Sequence, residues 1–212
     1  MIDKKSFETI VKKELADYLS DSNIRTFEPG DLIIKSGRQI KFVYLVKSGL
    51  SAQTITDNDG KERLISVKGE MSFLGLSTCF SGTSQDSDNS AIGNLEAYKI
   101  PAEELRKKIE SSTELAFSLL KSTSVNFENY RYQINVKSRS FLSSRLASAL
   151  LYLEGQEAEI NRNTFEISEL VSLSPELTIQ LLSELEQNKK IRVLGRSISI
   201  EDRASLLRIA LS

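Results

Sequence analysis

The 212-residue sequence predicts an α+β chain in which an all-β unit comes first and a helical half follows. Three observations carry that reading. Eight of the ten glycines fall between Arg25 and Lys99, spaced as strand–turn–strand units require. From Pro101 onward apolar residues recur at intervals of three and four, with no strand signal until Ile191. Finally, Ile167 to Leu185 reads as two short helices around a tight turn, followed by K-K-I-R-V-L-G-R-S-I-S-I.

Composition narrows the function. Formal net charge is −1, from 28 basic and 29 acidic residues, so any nucleic-acid contact must rest on a local patch. The single cysteine, Cys79, excludes an intramolecular disulfide and a four-thiolate zinc or iron–sulfur site. The absence of histidine removes the commonest catalytic base and metal ligand, so no catalytic residue, metal or cofactor is expected. Met1 to Leu19 mixes charged and apolar residues, and no apolar stretch approaches the ~18 residues of a membrane span. The expectation is a soluble, cytoplasmic chain with no membrane partner.

In chain order, Phe7, Ile10, Val11, Leu15 and Tyr18–Leu19 predict an amphipathic N-terminal helix ended by Asp21, Ser22 and Asn23. Leu32–Ile34, Phe42–Val46, Leu64–Val67 and Leu95–Ile100 are short apolar runs between glycines, giving a unit of about eight short strands: a barrel, roll or sandwich. Asp57-Asn58-Asp59-Gly60 is a hairpin turn, because Asn, Asp and Gly tolerate positive φ. The polar run Ser81 to Ser90 is either a mobile loop or a pocket rim. Ala102 to Ile109 predicts a short helix. A long one follows from about Glu114 to Lys137, with Leu120, Thr123, Phe127, Tyr130, Ile134 and Lys137 in a heptad-like seam. That helix either lies on its own β unit or pairs with a second copy; its length and freedom from Gly and Pro favour the homodimer. Phe141 to Glu154 forms the next helix, with Leu142, Leu146, Ala149, Leu150 and Leu153 inward. The boundaries fall near 110 and 138.

The last stretch has local signals for a helix-turn-helix. Ile167, Leu170 and Val171 share one face, and Leu177, Leu181, Leu182 and Leu185 share another. Between them Ser174 is a favoured N-cap, Pro175 suits the first helical position, and Glu176 suits the positive end of the macrodipole. Alone, the segment fits either a packed helical hairpin or a DNA-reading motif.

The order of parts resembles the CRP/FNR family of bacterial transcription regulators. F-E-P-G-D-L-I-I-K-S-G, Y-L-V-K-S-G at 44–49, D-G-K-E-R-L-I-S-V-K-G-E at 59–70, S-R-L-A at 144–147 and the final stretch through L-G-R-S-I-S-I-E-D carry the resemblance, over about residues 25–210. It implies a β-roll of the cyclic-nucleotide-binding type with the N-terminal helix (1–110), a dimerisation helix (111–137) and a winged helix-turn-helix (138–212). The implied partners are a palindromic DNA duplex, a second copy of the chain and RNA polymerase. In the family's recognition helix a Glu stands at the second position and usually an Arg four residues on. Here Glu176 keeps the first, suited to a cytosine amine, and Gln180 replaces the second, suited to adenine or a phosphate oxygen. Ser174, Pro175, Thr178 and Ile179 complete the expected contact set, Ile179 toward a thymine methyl. Lys189, Lys190, Arg192 and Arg196 would supply charge to phosphates.

The departures bear on the signal. Nucleotide-binding members hold the cyclic phosphate with an arginine, whereas this chain has no Arg or Lys between Lys68 and Lys99 and sets Asp86 and Asp88 there instead. A buried phosphate without a cation is unfavourable, so no cyclic AMP or GMP binding is expected. One cysteine excludes the family's iron–sulfur cluster and the lack of histidine its haem ligand. An effector pocket, if built, would involve Phe73, Leu74, Gly75, Cys79 and Tyr130. Cys79 itself reads first as a small packed apolar residue and second as a redox sensor. The dimer seam is placed at Leu120, Phe127, Tyr130 and Ile134. Two rivals stand beside the regulator: a ligand-responsive protein-interaction module whose helix-turn-helix no longer binds DNA, and a metal enzyme on a β-roll, which the absence of histidine disfavours.

Overall fold

The structure is a computed structural model and describes residues 4–56, 60–135, 139–156 and 160–211, with the side chains of 126, 128–135 and 139–141 outside that description. Helix α1 spans Lys4–Glu14, and two 3-10 turns, Ala16–Tyr18 and Asp21–Asn23, lead into the β unit. The expected helix is therefore shorter than its apolar spacing. Leu15 is fully buried and still donates to the Val11 carbonyl, but the chain turns there so that Tyr18 and Leu19 reach the same core.

The β unit contains strands β1 (Ile24–Phe27), β2 (Leu32–Ile34), β3 (Phe42–Thr56), β4 (Glu62–Lys68), β5 (Phe73–Leu74) and β6 (Asp88–Pro101), with the short helix α2 (Leu76–Ser81) between the last two. They form one antiparallel sheet in the order β1-β6-β3-β4, with β2 also on β6 and β5 on β3. Six strands among the described residues replace the expected eight short ones, because β3 and β6 are long and pair along most of their length. Their register shifts between Val46 and Leu50, which bends the pair so that one strand serves both ends of a roll. Gly49 permits that bend: φ is +87°, and a Cβ would lie 2.4 Å from the Asn94 carbonyl oxygen. Of the expected hairpin turn, residues 57–59 lie outside the described residues; β3 and β4 pair on either side of it, Thr56 against Glu62.

Beyond the roll come α3 (Ala102–Ser111) and the long α4 (Thr113–Asn135), whose first turn is capped by Ser112 accepting from the Leu115 amide at 3.2 Å. The C-terminal part holds α5 (Arg139–Gln156), β7 (Ile160–Asn161), α6 (Thr164–Leu170), α7 (Pro175–Gln187), β8 (Ile191–Leu194), β9 (Ser197–Ile200) and α8 (Arg203–Ala210). Strands β7, β9 and β8 make a small antiparallel sheet, the wing. Three apolar clusters hold the chain. One joins α1, the roll, α3 and the start of α4 through Leu15, Leu45, Ile100, Leu105 and Leu115. A second fills the roll with Val46, Leu74, Leu95 and Ala97. The third is shared: Leu50, Ala52, Leu64 and Ile92 of the roll pack with α5, α6, α7 and α8. Gly155, at the end of α5, lies so close to β6 that a Cβ would meet Ile92 Cγ2 at 2.7 Å.

Candidate DNA-binding surface and roll interior

The reading head is built from two capped helices. Asn163 accepts from the Glu166 amide at 2.9 Å while the Glu166 carboxylate accepts from the Asn163 amide at 2.7 Å, a capping box that fixes the start of α6. Ile167 and Val171 are buried, and the chain reverses at Ser172, whose φ is +51°. Ser174 then caps α7 by accepting from the Leu177 amide at 3.3 Å, and Pro175 takes the first helical position. Leu181, Leu182 and Leu185 face the core.

That geometry sorts the expected contacts. Glu176, Ile179 and Gln180 lie exposed on the outer face of α7, with Ser183 one turn on and Ser174 exposed at its start. Pro175 is half-buried. Thr178 corrects the sequence reading: it is fully buried and its hydroxyl donates to the Ser174 carbonyl at 3.0 Å, so it belongs to the core of the head. The Glu176 carboxyl is held below its ordinary pKa, first by its own backbone amide and then by the Ser174 hydroxyl.

The cations sit around the wing. Lys189 is exposed in a left-handed turn with φ +54°, and Lys190 is half-buried. Arg192 pairs with Glu201 at 3.3 Å and Arg196 with Glu166 at 3.6 Å. The Glu186 carboxylate accepts from the Val193 amide at 2.8 Å, which ties the end of α7 to the wing. Helix α7 carries no basic residue in its last turn, and its outer face is acidic and neutral.

The candidate effector residues are mostly core. Phe73, Leu74 and Cys79 are buried, and the Cys79 thiol donates to the Ala102 carbonyl at 3.6 Å. Burial pushes that thiol's pKa up, partly offset by Arg106, whose guanidinium donates to the Cys79 carbonyl. These three side chains pack within the roll. Gly75 has φ +83° and backs onto Ile40 and Ile34. The side chain of Tyr130, expected both here and in the dimer seam, lies outside the described residues, as does that of Ile134. Within the run Ser81 to Ser90, Gln85, Ser87 and Asn89 are buried while Ser81 to Ser84 and Asp86 are exposed. The Gln85 amide donates to the Ser87 hydroxyl at 3.0 Å, Gln53 donates to the same hydroxyl at 2.7 Å, and Ser87 donates to the Asp86 carboxylate at 3.1 Å. Thr78 donates to the Gln85 carbonyl oxygen at 2.9 Å, and the Ser36 amide to Asp88 at 2.6 Å. Sequence periodicity could not find this network, because its members are small polar residues that read as loop. On the long helix, Leu115 and Leu119 face the roll core while Phe117, Leu120 and Phe127 are 66%, 63% and 61% exposed.

Residues 24–112 match the cyclic nucleotide-binding domain family, and residues 144–209 match the Crp-like helix-turn-helix domain. The chain is 23% identical over 194 residues to the cAMP-activated global transcriptional regulator CRP of Pasteurella multocida, covering 86% of this chain and 92% of that protein. Its fold is similar to that of FixK2 from Bradyrhizobium japonicum, with a TM-score of 0.58 at 19% identity over 88% of this chain and 96% of that one. It is also similar to a CRP/FNR-family transcriptional regulator of Thermus thermophilus, with a TM-score of 0.54 at 22% identity over 89% and 98% of the two chains. A cyclic nucleotide-binding domain is thus followed, beyond the long helix, by a Crp-like helix-turn-helix domain, and on those two matches together the chain belongs to the CRP/FNR family of DNA-binding transcription regulators.

Proposed function

We propose that the chain acts in the cytoplasm as a homodimer that reads a palindromic duplex, without response to cyclic AMP, and works on RNA polymerase at its target promoters. The observation that carries the reading is the outer face of α7, where Glu176, Ile179 and Gln180 are presented to solvent from a doubly capped head. Phe117, Leu120 and Phe127 support dimerisation, since three large apolar side chains on one helix are more than half exposed in the single chain. Two such heads related by a two-fold axis would meet half-sites about one helical turn apart. The three proposed units are the roll to residue 110, the helix 111–137 and the head 138–212, with base contacts assigned to Glu176, Ile179 and Gln180. Phosphate contacts go to Ser174, Lys189, Lys190 and Arg196.

Independence from cyclic AMP is supported by the hydrogen-bonded set of Gln53, Gln85, Ser87 and Asp86 inside the roll, with no basic residue between Lys68 and Lys99. An anionic phosphate there would displace the bonds that Ser87 makes with Gln53 and Gln85 and face the Asp86 carboxylate. Selection from a randomised duplex library at low salt tests the whole reading. A palindromic consensus is expected, shifted by Glu176→Ala and by Gln180→Ala; recovery of no preferred duplex refutes it. One observation favours the rival: wing cations Arg192 and Arg196 are already paired with carboxylates, as in a surface adapted to protein rather than DNA. Under that reading both substitutions leave duplex recovery at background.

A further inference from the structure

The hairpin between β3 and β4 belongs to the roll, yet its charged side chains end on the reading head. Arg63 Nη1 donates to the Glu169 carbonyl oxygen and to Ser172 Oγ, both at 3.1 Å. Lys61 pairs with the Glu169 carboxylate. Glu62, between them, accepts from the Tyr152 hydroxyl at 2.7 Å and so fastens the same hairpin to α5. Glu169 lies in the last turn of α6, where its carbonyl already accepts from the Ser172 amide at 3.1 Å and a cation is favoured by the dipole. Ser172 is the left-handed residue of the helix-turn-helix turn, two positions before the cap of α7. A serine at φ +51° is held there only if its surroundings over-determine it.

We propose that Arg63 is a positioning residue for DNA reading: from the sensor roll it pins the turn that sets the pose of α7, with Lys61–Glu169 as the second tie. Movement of the hairpin relative to the roll is thereby passed to the recognition helix through two side chains. The proposal rests on sequence-specific DNA reading, and it is distinct from a phosphate contact, which Arg63 could also make from this position. The two roles separate in salt dependence. A phosphate contact contributes about one counterion to the slope of log K against log salt, whereas a positioning residue lowers affinity at unchanged slope.

The test uses the full chain and a duplex recovered by selection with the wild-type protein. Arg63→Ala is expected to lower affinity by about tenfold with the salt slope unchanged. Arg63→Lys should recover part of the loss, because both bonds come from the one nitrogen Nη1 and an ammonium also carries enough donors for two acceptors. Lys61→Glu and Glu169→Lys should each weaken binding, and the double exchange should restore it. That exchange lies on an exposed surface and decides the matter even if Arg63→Ala fails to fold. Unchanged affinity in Arg63→Ala, a slope reduced by about one, or no recovery in the double exchange overturns the proposal. If the wild-type chain selects no duplex, the proposed function fails and this inference with it.

Discussion

Replacing Leu120 by Ser tests the dimer through one exposed side chain. Full burial of a leucine is worth about 1.5–3 kcal/mol. Leu120 keeps 63% of its surface exposed in the single chain, so roughly 1–2 kcal/mol per copy awaits a partner. A two-fold interface counts the position twice, about 2–4 kcal/mol per dimer, which corresponds to a rise in the dimer dissociation constant of about 30-fold to nearly 1,000-fold. The intrachain fold should barely respond, because Leu115 and Leu119, not Leu120, pack on the roll. Sedimentation across a concentration series measures the constant, and a thermal melt at a concentration where both proteins are monomeric checks the fold. A wild-type chain that stays monomeric at all concentrations, or an unchanged constant in the variant, would refute the reasoning.

Other substitutions probe other parts. Ser174→Ala removes the cap on α7 and should destabilise the head by about 1 kcal/mol, seen as a lower melting temperature and weaker duplex binding. Gly49→Ala should cost more than about 2 kcal/mol or abolish folding, since its Cβ would meet backbone at 2.4 Å in a left-handed conformation; a near-native melt would contradict the bend assigned there. Cys79, buried and with its thiol pKa pushed up, should react with a thiol reagent far more slowly than a free cysteine at pH 8, the contrast vanishing in denaturant. Saturating cyclic AMP should leave the melting temperature unchanged, whereas a ligand at a hundred times its dissociation constant would stabilise the fold by about 2.7 kcal/mol.

What the sequence made legible followed from how strongly each local signal competes. The start of α7 was readable at Ser174 and Pro175 because cap and proline chemistry act within one turn, and the structure starts the helix at Pro175. The roll was readable as β from its glycines, but not its strand count, since the fusion of short apolar runs into β3 and β6 depends on pairing between them. Thr178 looked like a contact because it stands between Glu176 and Gln180. Its burial follows from a hydroxyl that bonds four residues back and so tolerates the core. Helix α8 went unread: Asp202 caps it by accepting from the Ser205 amide at 2.9 Å, but its eight residues follow the wing too closely to show a period. The contacts of Arg63 and Lys61 were out of reach of any local signal, being over a hundred residues away in sequence.

The head's electrostatics bear on how such a protein would find a site. From residue 137 to the C-terminus there are ten cations and ten acids; Arg192 pairs with Glu201 and Arg196 with Glu166, while Lys189 is exposed and Lys190 half-buried in the turn that follows α7. Exposed ion pairs are worth little, about 0–1 kcal/mol, so exchanging a carboxylate for a phosphate is close to neutral rather than strongly favourable. In the proposed reading the general, sequence-independent attraction to DNA is modest, because it depends on cations that release counterions from the duplex and acids match the cations in number here. Such a head, in that reading, gains most of its discrimination from base edges, through the exposed Glu176, Ile179 and Gln180. A low background affinity in the proposed reading raises the ratio of specific to non-specific binding, and recognition then depends on the pose of α7, which Arg63 is proposed to set from the roll.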